Sequence, residues 1–151
     1  MADKPTQADA ELILKLYDLR REAEMRKARN WWMTFNPESV EDFAKIGMAM
    51  GTQENAWMRQ VSGYWEMAAG LVLHGTVNEE LFMEGSFSGE MFVIFAKIEP
   101  FLKELREKFM APKMYGNVET LIMRHKEGPQ RLKEMQERMA MFRKMMQAKA
   151  A

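Results

Sequence analysis

Between Thr52 and Phe109 the large apolar residues fall at helical spacing. Trp57, Val61, Tyr64, Trp65, Ala68, Leu71 and Val72 recur three and four positions apart, and Phe92, Phe95, Ile98, Phe101, Leu102, Leu105 and Phe109 repeat the pattern. Side chains so spaced share one face of a helix, and that face has to be covered by other elements. Almost nothing in the chain alternates with period two, so the pattern predicts an all-α protein in which helices pack on helices. A chain of 151 residues has the size of one domain and can bury well over half of its unfolded surface.

Proline, glycine and capping residues divide the chain. A first helix is expected from about Asp9 to Phe35, stopped by Asn36 and Pro37, and a second from Glu38 to Met50, ended by Gly51. Thr52 caps the third, which carries the aromatic stripe and ends at Gly75. Asn78, Glu79 and Glu80 open a short fourth helix to Met83, and Gly85 to Gly89 reads as a turn. The fifth runs from Glu90 to Met110 with a kink at Pro100, Asn117 caps a sixth to Lys126, and Gln130 to about Lys149 forms the last. The expected architecture is an irregular helical bundle of about five long and two short helices over residues 1–151. Within it residues 1–8 are loose, and residues 130–151 form an amphipathic, methionine-rich C-terminal helix.

Charge and composition exclude several functions. Lys+Arg and Asp+Glu each total 22, so no bulk field favours nucleic acid or an anionic membrane. Without cysteine there is no disulfide, thiolate nucleophile, Cys-ligated zinc or iron–sulfur cluster. No segment approaches the apolar length of a membrane span, and no basic-then-apolar leader opens the chain, which reads as a cytoplasmic protein.

Few residues invite chemistry. The two histidines, His74 and His125, have neither a Glu three residues before them nor a His-Glu-x-x-His frame, so no metal is expected, although Glu66 or Glu119 could join them in a bundle interior. As a structural reading, both histidines complement the negative ends of helices. Glu66 lies between Trp65 and Met67 on an apolar helix, where burial would raise its pKa and offer a general acid or base. The alternative is an internal ion pair with Arg59, Arg106 or another base, and Glu66, Arg106 and His74 are the candidate buried polar residues. Gly85-Ser-Phe-Ser-Gly89 lacks the central serine of a nucleophile elbow, and no Gly-rich phosphate loop or cofactor fingerprint is present.

The clearest surface signal is C-terminal, where Leu132, Met135, Met139, Phe142 and Met146 are spaced as one apolar stripe. Residues 130–151 carry six bases against two acids, whereas residues 37–110 carry six bases against twelve acids. Three readings follow: the helix lies back on its own acidic body, it is shared with another subunit or protein partner, or it lies on a membrane surface. Trp31 and Trp32, with Phe35, cannot all face one way on a helix, so two rings are expected in the core and one at an interface, and Trp31 and Trp32 join the C-terminal stripe as candidates for the interaction face.

The segment Tyr64-Trp65-Glu66-Met67-Ala68 through Gly75, then Asn78-Glu79-Glu80, Pro100-Phe101-Leu102 with Leu105-Arg106, and Tyr115, resembles a bacterial family of small helical proteins described as a domain of unknown function, DUF4760. The likeness covers roughly residues 52–124. It implies a helical fold and adds no activity; some relatives carry an N-terminal membrane helix, for which helix one here is too charged. The sequence thus points to a non-enzymatic interaction or assembly protein, a homo-oligomer without cofactor, associating through its terminal helices. The alternatives are a small-ligand or metal-binding bundle around Glu66 and a peripheral membrane-surface protein.

Overall fold

The aromatic stripe lies on the central helix of the structure, a computed structural model that describes residues 3–151. In chain order the helices are α1 (Gln7–Leu19), α2 (Ala23–Thr34), α3 (Val40–Gly47), α4 (Gln53–Leu73), α5 (Glu79–Phe82), α6 (Gly85–Ile98), a 3₁₀ turn (Glu99–Phe101), α7 (Leu102–Lys108), α8 (Gly116–Arg124) and α9 (Gly128–Ala150). No strand occurs among the described residues. The fold is an all-α helical bundle. Thr52 caps α4, accepting the Asn55 N–H at 3.3 Å, and α4 packs against α2 and α8 while α6 carries α9. Val61, Trp65, Ala68 and Val72 of α4 join Phe92, Phe95 and Ile98 of α6 in one core.

The observed boundaries differ from the expected ones at three places. The first helix is two: α1 stops at Leu19, and Glu22 caps α2 by accepting the Met25 N–H at 2.8 Å. No glycine or proline marks that break; Arg20 is drawn into the core, its guanidinium 5.3 Å from the Tyr17 and Trp65 ring centroids. The expected turn at Gly85–Gly89 is the first turn of α6, held by buried Ser88, whose hydroxyl donates to the Met83 and Glu84 carbonyls at 3.0 Å. At Pro100 the expected kink becomes a 3₁₀ turn that separates α6 from α7. Of the segment expected to be loose, Met1 and Ala2 lie outside the described residues. In the rest, Asn78 Nδ2 donates to the Asp3 carbonyl at 2.7 Å, and Thr6 and Asp9 form a reciprocal cap on α1.

Short helices leave many unpaired backbone groups, and here side chains of other helices satisfy them. Tyr64 Oη donates to the Leu16 carbonyl of α1 at 2.6 Å. Asn55 Nδ2 donates to the Ile46 and Gly47 carbonyls of α3 at 3.0 Å each. Buried Lys97 of α6 closes the C-terminus of α2, donating to the carbonyls of Trp32, Met33 and Phe35. Burial pushes the Lys97 ammonium down to about 8, with nearby Arg143 acting in the same direction.

One glycine is fixed by close approach. A Cβ on Gly128 would stand 1.7 Å from the Ile122 carbonyl oxygen, so α8 and α9 meet backbone to backbone.

Two outcomes are expected. Trp65→Ala should cost about 3–5 kcal/mol in urea unfolding, since the ring is buried among Tyr64, Phe82 and Arg20. The folded protein releases the Lys97 proton near 8 and an ordinary lysine does so at 10.5, so the unfolded chain binds more protons between those values and stability from this group rises with pH there. Lys97→Met should flatten that rise, read as the pH dependence of the denaturation midpoint.

Candidate functional site

The C-terminal stripe divides in two. Leu132 is buried, and Met135 and Met139 are partly buried against the core. This half of α9 is further pinned by Arg131, which donates to the Met83 carbonyl at 2.6 Å and to Ser88 Oγ at 3.1 Å and lies 4.0 Å from the Phe92 ring centroid. Leu132, expected on an interaction face, is therefore part of the chain's own core. From Ala140 to Ala151 every residue is exposed, including Met141, Phe142, Met145 and Met146. Phe142 is 54% and Met146 67% exposed. Between this overhang and the end of α2 opens a groove of about 590 Å³, lined by Met33, Val93, Lys97, Met139, Phe142 and Met146 among others.

The Trp31–Trp32 pair does not extend that face. Trp32 is fully buried, edge-on to Trp31 and Phe35 and tilted against Phe43, so its assignment to an interaction surface is corrected. Trp31 stacks on Phe35 with centroids 4.7 Å apart and is only partly exposed. Both rings are needed to fill the corner where α2 turns into α3.

The polar candidates separate as well. His74 is exposed at the C-terminus of α4, not buried. His125 is buried, with Nε2 3.5 Å from a Glu80 carboxylate oxygen and Nδ1 accepting the Glu127 N–H at 3.3 Å. Half-buried Arg106 clasps the Met114 carbonyl through two nitrogens at 3.0 and 2.9 Å and pairs with Glu119 at 3.1 Å. Glu66 pairs with neither Arg59 nor Arg106. Its carboxylate accepts the N–H groups of Asn117 and Val118 at 3.3 and 2.9 Å, which puts a negative charge on the positive end of α8. Asn117, expected to cap α8, instead lies inside its first turn and donates from Nδ2 to the Glu66 carbonyl at 3.2 Å. Among the described residues no three His, Asp or Glu side chains converge as a metal site would require.

A second cleft, of about 420 Å³, lies beside Glu66. Phe43, Met58, Phe109 and Met114 form its apolar walls, and Gly47 and Gly63 form part of its lining. Tyr115 and Ser62 share a hydrogen bond of 2.5 Å there. Burial holds the Tyr115 phenol well above its usual range, so it stays protonated and can donate. The loop between α7 and α8 borders the cleft and begins and ends in left-handed backbone, Met110 at φ 50° and Tyr115 at φ 54°. Such a conformation in a residue with a Cβ costs about 1–3 kcal/mol and marks a place where the surroundings impose it.

Gly63 adds to this. It stands in the middle of the 21-residue α4, where glycine is about 1 kcal/mol less favourable than alanine, and a Cβ there would touch nothing within 4 Å. Packing within the chain does not account for it. Ser62 and Gly63 belong to no motif in the sequence; a glycine inside a strongly periodic helix, without a neighbouring cap, is the signal the sequence offers there.

No curated protein and no solved structure matches the chain. Among the described residues no helix is long and apolar enough to cross a membrane. The family model described as a domain of unknown function (DUF4760) matches residues 5–125, which takes in α1 to α8 and stops before α9. The chain therefore belongs to the DUF4760 family.

Proposed function

We propose that this is a non-enzymatic, cytoplasmic assembly protein that self-associates through the free end of α9. The observation that carries the reading is the overhang from Ala140: helical to Ala150, without a buried residue, and leaving Met141, Phe142, Met145 and Met146 exposed. A wholly polar helix end can extend into water unaided, but large apolar side chains on its flanks favour cover. Unbranched methionines suit a contact that has to adapt to a partner's shape.

Charge supports a second copy as that partner. The overhang carries Arg143, Lys144 and Lys149 and no acid. The corner of α3 and the start of α4 exposes Glu41, Asp42 and Glu54, none of them in an ion pair among the described residues, beside exposed Met48 and Met50. A basic, methionine-bearing end on one copy and an acidic, methionine-bearing corner on the other can be exchanged reciprocally, as two-fold symmetry requires.

Light scattering coupled to size exclusion should give at least twice the 17.7 kDa chain mass, decreasing at high salt. Phe142→Glu combined with Met146→Glu should yield a monomer whose helicity and unfolding midpoint match the parent. A parent protein that stays monomeric across the accessible concentration range refutes the reading.

A further inference from the structure

The cleft between α3, α4 and the α7–α8 loop combines features that self-association through α9 leaves unused. Its walls are apolar, contributed by Phe43, Met58, Phe109 and Met114. A cavity of about 420 Å³ is within the range that accommodates small organic ligands. Gly47 admits the Phe109 ring edge, whose Cζ would lie 2.9 Å from a Cβ at that position, and Gly63 leaves open space above α4.

The lining is charged at two points and hydroxylated at a third. Arg59 and Lys113 both lie there, both are exposed, and neither is in a salt bridge among the described residues. The only contact of the Arg59 guanidinium among the hydrogen bonds is from Nε to Asn55 Oδ1 at 3.0 Å. The one acid in the lining, Glu66, has its carboxylate engaged by the backbone N–H groups of α8. An occupant therefore meets a mostly apolar lining that also holds two cations without an ion-pair partner among the described residues, the Ser62–Tyr115 hydroxyl pair, and one carboxylate already engaged by backbone N–H groups.

We infer that this cleft binds a small amphipathic anion, a medium-length apolar chain or ring system bearing a carboxylate. The apolar part lies along Met58, Phe109 and Met114, and the head group is held at Arg59 and Lys113. Loop Met110–Tyr115, fixed in left-handed backbone at both ends, holds Met114 and Tyr115 in the lining before the ligand arrives.

Decanoate, kept below its micelle concentration, is the probe, titrated into the full-length protein by calorimetry. Saturable one-to-one binding is expected, and decanol and decyltrimethylammonium should bind several-fold more weakly. Gly63→Leu, which fills the open space from the helix surface, should abolish saturation with helicity intact. Lys113→Gln, at an exposed residue whose side chain is in no salt bridge or hydrogen bond among the described residues, should weaken decanoate several-fold and leave decanol unchanged. Absence of saturable binding to the parent, equal affinity for the cationic analogue, or undiminished binding to both variants would overturn the assignment. Because none of these changes touches α9, the oligomer mass of each variant reads separately whether self-association stands.

Discussion

The structure depends on closing the ends of its helices from outside. A bundle made of many short helices multiplies unpaired carbonyl and N–H groups, and each buried orphan costs on the order of a hydrogen bond. The long α4 supplies much of the remedy: Asn55 covers the end of α3, Tyr64 the end of α1, and Glu66 the start of α8. Lys97 does the same for α2 from α6, and Arg131 for the Met83 carbonyl after α5 from α9. Apolar packing brings the helices together, and these polar contacts fix where each one stops and how it is set against α4.

That arrangement changes how the buried polar residues are read. Asn55, Ser88 and Lys97, which in isolation resemble the beginnings of an active site, are occupied by backbone groups. Glu90 is occupied too, accepting Arg29 Nε at 2.6 Å and Trp65 Nε1 at 3.1 Å, which ties α2, α4 and α6 together. Among buried side-chain nitrogens and oxygens of the described residues, only Trp32 Nε1 and His125 Nε2 lack a hydrogen-bond partner. Uncommitted charges and apolar groups are at the surface, among them those of the α9 overhang and of the cleft beside Ser62.

The fold class, the aromatic helix with its Thr52 cap, the fourth helix at Asn78 and the break at Pro100 were legible because periodicity and capping act locally. The division of the first helix was not, because its cause is a cation drawn onto Trp65, a residue far along the chain. The role of Glu66 was half legible: an acid on an apolar helix signals a special environment, but its partners are backbone N–H groups that no sequence pattern displays. The apolar stripe of the last helix was legible as a stripe. Where the body ends beneath it, after Met139, is a property of tertiary shape. The cleft depends on two left-handed residues and an unfilled space over Gly63, and neither is encoded in spacing.

The contact between Gly128 and the Ile122 carbonyl has a mechanical meaning for α9. A crossing with no side chain between the two backbones has little room to pivot, and Arg131 braces the helix one turn further on. The protruding end is thus a spar fixed at its root, whose bearing is set by the domain and not by a joint. Whatever meets its tip also meets the orientation of the whole bundle, so widening that root would cost angular definition before it cost any surface.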